Sequence, residues 1–309
     1  MKKDIVSVAV ISYNSEATIL ETLNSILHQD YDSQYIELIL GDDGSKDNTQ
    51  NIINDWVIIN ENKFYKVILN INNINRGIVA NFNSTCQLAT SDWIKPIAAD
   101  DILMKNCISE LYNFVTSDKS IKCSFCKVEK FNTHKSLGVI PKDSYYFTLS
   151  AEKQFKTLLI DNFLPAPGCF IMLSLLKDIG FAQEGENMED YPMWLKITKK
   201  DIQLHLLDKV LVKYRIGNSL SKSDKKLINP ALNRNVYKIK KNYLDKSNMS
   251  FFLRKLYGFD LFITKLKDNV TLKLFRNKKN KISTIFTYPL RFISPVCLMS
   301  KIKNKLYRI

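Results

Sequence analysis

The chain is 309 residues long, 45% hydrophobic and 25% charged, a soluble-globular profile with bulk for one large domain or a domain plus an appendage. Its formal net charge of +14 is uneven: residues 230–309 carry 19 Lys and Arg against three Asp, which leaves the first 229 residues slightly acidic. Six cysteines at irregular spacing in a chain of this size exclude a small disulfide scaffold and fit a reducing cytosol.

The N-terminus has two lysines and a short apolar run, but Asn14, Ser15 and Glu16 stand where a signal peptide would need small residues. Residues 5–11 read as an apolar strand. Residues 17–27 carry Ile19, Leu20, Leu23, Ile26 and Leu27 at helical spacing. A strand at 35–40, a helix over 49–59 capped by Asp47 or Asn48, a strand at 66–71, a helix at 78–88 and a strand at 92–97 follow. Strands alternating with helices predict parallel pairing and a doubly wound α/β sheet, whose ligands lie beyond the carboxyl ends of the strands.

Further on the pattern loosens: a helix near 104–115, a strand over 121–131, a helix at 151–160 and an extended Pro165-Ala166-Pro167-Gly168 stretch. A strand at 169–173, a helix at 191–198 and a last strand at 210–214 complete the expected first domain, residues 1–229. Cys123 and Cys126 form a CxxC with no second ligand pair, inside a strand.

Three acidic pairs carry the chemistry. Asp42-Asp43 follows the second strand in a Gly-Asp-Asp-Gly-Ser turn, where a strand-end carboxylate suits base N–H groups or sugar hydroxyls, or caps a helix. Asp100-Asp101 follows an apolar run, and a divalent cation bridging to a diphosphate would resolve the repulsion of two adjacent charges. Glu189-Asp190 opens a helix, where acids suit the macrodipole and where Asp190 could remove a proton from an acceptor hydroxyl, with Glu189 orienting it. Lys95 could meet an acceptor pyrophosphate or stand in solvent, and Trp194 reads as core more than as a sugar platform.

Taken together with Ser12-Tyr13-Asn14, Asn75-Arg76-Gly77 and Tyr214-Arg215 followed by Ser219 and Ser221, these pairs make the chain resemble a family 2 glycosyltransferase from about residue 6 to 221. The resemblance implies a glycosyltransferase A-type fold, a Rossmann-like mixed sheet flanked by helices. It also implies a nucleoside diphosphate (UDP) sugar donor, Mn²⁺ or Mg²⁺, and inversion at the anomeric carbon. Ser12, Tyr13, Asp43, Asn75, Arg76, Asp100 and Arg215 would bind the donor; Tyr13 and Asp43 would meet the base and Asp100 the ribose. Asp101 with Asp100 would hold the metal, and Asp190 would be the base beside Glu189. Two departures stand out: Ala98 occupies a position that is often a third acid, and Gly217 one that is often histidine. They keep open a non-catalytic partner of glycan assembly. A nucleotidyltransferase would need a Gly/Lys-rich loop where Ser12-Tyr13-Asn14-Ser15 stands.

Residues 230–309 form the second expected region, helical, basic and aromatic. Phe252, Leu256, Phe259, Ile263, Leu266 and Val270 are spaced as one helical face, and a cationic run at 276–281 precedes further aromatics. That composition suits an anionic membrane surface more than nucleic acid, although a helical appendage with a solvated basic side has the same pattern. The expected setting is the cytoplasmic face of a bacterial inner membrane. The expected acceptor is an undecaprenyl-diphosphate-linked glycan of O-antigen or capsule type.

Overall fold

The structure, a computed structural model, describes residues 4–132, 135–142, 144–216, 226–246, 249–299 and 302. Nine described strands form one sheet: β1 (Val6–Ser12), β2 (Ile36–Asp42), β3 (Lys66–Ile71), β4 (Trp93–Ala98), β5 (Ile102–Leu103), β6 (Cys123–Phe131), β7 (Ser136–Ile140), β8 (Cys169–Met172) and β9 (His205–Arg215). Their order is β3-β2-β1-β4-β8-β6-β9-β5, with β7 beside β6. The first unit of the chain holds this sheet, residues 1–152 and 164–215; residues 153–163 and 216–309 form a second unit.

The expected parallel half is present. β1 runs parallel between β2 and β4, because the crossovers α1 (Ile19–Leu27), α2 (Thr49–Asn60) and α3 (Ile78–Cys86) return the chain each time. Val6, Val8 and Val10 of β1 join Leu23, Ile26 and Trp56 in one core; α3 packs on β1 and β2, against the other side of the pleat. Beyond β4 the sheet turns mixed: β4 and β6 pair antiparallel with β8, while β6 pairs parallel with β9. The short strands β5 and β7 and the six-residue helix Leu173–Asp178 carry too little periodicity to read from sequence.

The register sets the functional edge. Ser12 lies opposite Asp42 and Ile11 opposite Ala98, so the ends of β2, β1 and β4 stand side by side where the strand order reverses. The helix α4 (Cys107–Ser117) follows β5, and α5 (Ala151–Leu158) follows β7. The helix α6 (Leu173–Asp178) leaves β8, and α7 (Asp190–Lys199) leads towards β9. Trp194 of α7 is buried edge-on against Phe125, a core residue as expected.

The second unit contains α8 (Pro230–Asp245), α9 (Phe251–Lys273) and α10 (Lys281–Thr287). Asn229 caps α8 by accepting from the Ala231 and Leu232 N–H groups, with Pro230 at the first helical position. Lys240 Nζ donates to the Ile160 carbonyl at 2.7 Å within this unit. The apolar stripe read on α9 is divided: Ile263 is buried, Leu256 and Val270 are half-buried, and Phe252, Phe259 and Leu266 are exposed, while Tyr257, Asp260, Leu261 and Thr271 are also buried. Among the described residues no helix is long and apolar enough to cross a membrane.

Candidate active site

At the end of β2 two adjacent carboxylates have different jobs. Asp42 is fully buried and accepts from Ser12 Oγ (3.1 Å), Ser45 N (2.9 Å), Ser45 Oγ (2.5 Å) and Gln50 Nε2 (2.7 Å). It builds the turn that Gly44 completes at φ +70°, where a Cβ would stand 2.7 Å from the Ile74 carbonyl carbon. Asp43 accepts from the backbone N–H groups of Arg76 (2.9 Å) and Gly77 (2.8 Å), and from Asn72 Nδ2 at 3.3 Å. It therefore fixes the Asn75-Arg76-Gly77 loop against the strand end. The Ser12 hydroxyl is spent on the Gly41 carbonyl and Asp42, whereas Tyr13 beside it is 45% exposed and the Arg76 side chain is exposed too. Asn75 Oδ1 accepts from Gly77 N at 3.0 Å.

At the end of β4, Asp101 is fully buried. Its Oδ1 accepts from Arg215 N at 2.9 Å, and its Oδ2 is buried with no hydrogen-bond partner among the described residues. Burial, and after it the Asp100 charge, pushes the Asp101 carboxyl well above the usual range, against the Arg215 N–H and the Lys95 and Arg215 charges. Asp100 is half-buried, and burial raises its carboxyl as well, opposed by its own N–H and by Arg215. The Arg215 guanidinium is held on three sides: Nε donates to the Asp100 carbonyl at 2.9 Å, Nη2 pairs with Glu21, and the group lies 4.6 Å over the Phe131 ring. Arg215 thus braces the loop that bears the acids.

Lys95 corrects the sequence reading. It is neither solvated nor free for a pyrophosphate, but fully buried, with Nζ donating to the carbonyls of Pro167 (2.6 Å) and Pro96 (2.9 Å). It ties the 165–168 strap to β4. Gly168 lies so close to β6 that a Cβ there would stand 2.4 Å from the Cys126 carbonyl oxygen.

Glu189 and Asp190 are half-buried at the start of α7. Burial, and then the Asp190 charge, pushes Glu189 up to about 8; burial raises Asp190 too, against the Tyr191 N–H that it accepts at 2.6 Å. The segment before them is registered on α3, where the Asn83 amide donates to the Ala182 carbonyl and accepts from its N–H, both at 3.0 Å.

Two groups are therefore assembled at neighbouring strand ends, Ser12, Tyr13, Asp43, Asn75 and Arg76 in one and Asp100, Asp101 and Arg215 in the other. The Glu189–Asp190 pair is anchored separately, through α3. Gly217, Ser219 and Ser221 lie outside the described residues. Glu21 and Asn83 escaped the sequence reading as site builders, and Lys95 was read with the wrong role, because a lone polar residue on a helix or strand has no spacing signal. Among the described residues no three His, Cys, Asp or Glu side chains are grouped to enclose a metal ion. The unpartnered Asp101 Oδ2 beside the Asp100 carboxylate nevertheless fits one flank of a divalent cation's oxygen shell.

The model of the family described as glycosyl transferase family 2 matches residues 7–180, more than half of the sequence. The chain belongs to that family. Glu189, Asp190 and Arg215 lie beyond the matched segment. The chain is 26% identical over 213 residues to the Escherichia coli UDP-Glc:alpha-D-GlcNAc-diphosphoundecaprenol beta-1,3-glucosyltransferase WfaP, covering 69% of this chain and 78% of WfaP. It is 24% identical to an uncharacterized glycosyltransferase of Methanocaldococcus jannaschii, over 92% of this chain and 98% of that one. Among solved structures, S. aureus TarS residues 1–349 in complex with UDP-GlcNAc superposes with a TM-score of 0.65 at 18% identity, covering 94% of this chain and 79% of that one. A Pyrobaculum calidifontis mannosyltransferase in complex with GDP-Man and Mn²⁺ gives 0.56 at 15%, over 97% and 74%. The fold is glycosyltransferase A-type, with a helical C-terminal region.

Proposed function

We propose that this glycosyltransferase moves a sugar, with inversion, from a UDP-sugar to a hydroxyl of a glycan on an undecaprenyl-diphosphate-type carrier. The setting is bacterial O-antigen or capsule synthesis, at the cytoplasmic membrane face. Residues 1–229 perform the transfer and residues 230–309 the association with the membrane. The reading is carried by the Asp100–Asp101 pair at the β4 edge, with one buried carboxylate oxygen left unpartnered beside the strand ends that hold Tyr13 and Asp43. The names of WfaP and TarS support the donor and carrier classes.

Tyr13 is exposed for stacking on a base, and Asp43, by holding the Arg76 and Gly77 amides, fixes the neighbouring loop on the base side. Ser12 and Asn75 build that donor edge, Arg76 projects from it, and Asp100 lies on the ribose side, braced by Arg215. Asp101, with Asp100, would hold Mn²⁺ or Mg²⁺, which supplies charge neutralisation to the departing diphosphate. Asp190 takes the acceptor proton; its raised carboxyl makes it a better base than an exposed aspartate. Glu189, held neutral to about pH 8, donates a hydrogen bond that orients the acceptor.

The test is a panel of UDP- and GDP-sugars by thermal shift, followed by transfer to a GlcNAc-diphospho-lipid with and without Mn²⁺. A UDP-sugar that stabilises the chain and is consumed supports the reading. Stabilisation by GDP-sugars alone would refute the UDP assignment. Binding without hydrolysis or transfer would favour a non-catalytic partner, the reading to which Ala98 and the fully engaged Arg215 lend weight.

A further inference from the structure

The second unit is packed partly inside out. In α10 the inward residues are Ser283 and Thr287, whereas Ile282, Ile285 and Phe286 face outward, 63%, 68% and 64% exposed. One side of α9 does the same: Phe252, Phe259, Phe262 and Leu266, spaced seven, three and four apart, form an exposed stripe while Asp260 and Thr271 are buried. Tyr257, Leu261 and Ile263 do face inward on α9, but leaving so many phenyl and aliphatic side chains wet while hydroxyls and a carboxylate are buried runs against their solvent preferences. A surface of this kind belongs to something that covers it.

Charge decides what that is. Residues 249–299 contain ten Lys and Arg against two acids; Asp260 is buried, and Asp268 takes the Asn233 amide at 2.8 Å. Lys255 lies 5.4 Å over the Phe251 ring next to the stripe. An open concavity of about 460 Å³ beside α10 is lined by Lys279, Asn280, Lys281, Thr284 and Ile285, so ammonium groups border the apolar side chains. A second copy of this face would bring like charges together. An anionic bilayer offers what both features need, phosphates at the depth of the lysines and hydrocarbon for the rings.

We propose that the exposed stripe of α9 and the outward side of α10 form a membrane-docking surface that lies in the interface of an anionic bilayer, rings below the headgroups. This deepens the lipid-linked acceptor reading and rests on it for its biological setting, but its test needs no sugar.

The experiment uses the full chain with vesicles of phosphatidylglycerol and phosphatidylcholine, and with phosphatidylcholine alone. Phe286→Trp serves as the depth reporter. Binding should require the anionic lipid, and the emission of the introduced indole should shift blue and be quenched by brominated acyl chains. Lys278→Gln with Lys279→Gln should lower partitioning roughly 30-fold, at about a factor of five per charge. Phe259→Ser with Phe262→Ser should lower it at least roughly tenfold. Should the phenylalanine pair destabilise the fold, the exposed lysine pair and the reporter still decide. Unchanged partitioning of the lysine variant, an unshifted reporter, or sedimentation showing a dimer that the Phe variants dissolve would overturn the proposal, as would displacement of the vesicles by duplex DNA. Nucleotide-sugar thermal shifts on the same proteins separate the two readings. Vesicle binding without a donor response removes the transferase reading alone, and the reverse removes this one alone.

Discussion

Glu189 gives the sharpest physical test. Its carboxyl is pushed from an ordinary 4.5 up to about 8, so between those values the folded chain keeps a proton that the unfolded chain has lost. The unfolded state then binds fewer protons, and stability falls as pH rises. The contribution is fully present below about 4.5 and is lost as pH passes through 8. A shift of 3.5 units at about 1.4 kcal/mol per unit sets a ceiling of about 5 kcal/mol. Because the Asp190 charge is part of the cause, the two carboxyls titrate together and about half of that ceiling is expected at this site. Glu189→Gln is neutral at every pH. Urea unfolding of both proteins from pH 5 to 9 should show wild-type stability falling by about 2–3 kcal/mol relative to the variant, mostly between pH 5 and 8 and flattening above it. Taking the difference cancels groups common to both, including His205, which burial lowers. A difference that stays flat over this range would refute a half-buried Glu189 that keeps its proton.

Three further outcomes follow from the same geometry. Asp190→Asn should cut transfer by about 10²–10⁴ while the donor thermal shift persists, and retained turnover would reject it as the base. Asp101→Asn should raise the Mn²⁺ concentration needed for half-maximal transfer at least about tenfold, and an unchanged metal titration would reject its metal role. Lys95→Met leaves the Pro96 and Pro167 carbonyls without their shared donor, at about 1–3 kcal/mol, and should speed amide exchange in residues 165–169 but not in 42–45. Uniform exchange in both segments would argue against a local clasp.

The parallel half of the sheet was legible because buried parallel strands are nearly unbroken apolar runs separated by amphipathic helices: residues 5–11 and 35–40 spell β1 and β2 within two residues. The mixed half was not. β8 and β6 pair antiparallel and β9 starts at His205, well before the apolar run at 210–214 that announced it, because the half-exposed start of β9 has no strong alternation. The stripe on α9 was legible as a stripe, but not how it is shared between protein and solvent. Periodicity finds an apolar face, but whether protein covers it is a tertiary fact.

The acidic pairs show most clearly where sequence reasoning stops. Asp42-Asp43 and Asp100-Asp101 each read as one feature, two charges at a strand end. At each strand end the chain has already left the strand or is leaving it, and the two side chains find different partners there. Asp42 goes inward to four donors and makes the turn, while Asp43 reaches across to the Arg76 and Gly77 amides. Asp101 goes inward to the Arg215 N–H, while Asp100 stays half-exposed and leaves its carbonyl to the Arg215 side chain. With Arg215 committed to Glu21, Asp100 and Phe131, the guanidinium cannot also neutralise a diphosphate without giving up those partners. Glu21→Gln, which frees one side of Arg215, therefore discriminates between two arrangements of the same site. If Arg215 is a brace, the substitution loosens the acid-bearing loop and weakens metal-stimulated transfer. If Arg215 is a diphosphate ligand held in reserve, the substitution tightens donor binding and leaves the metal response alone.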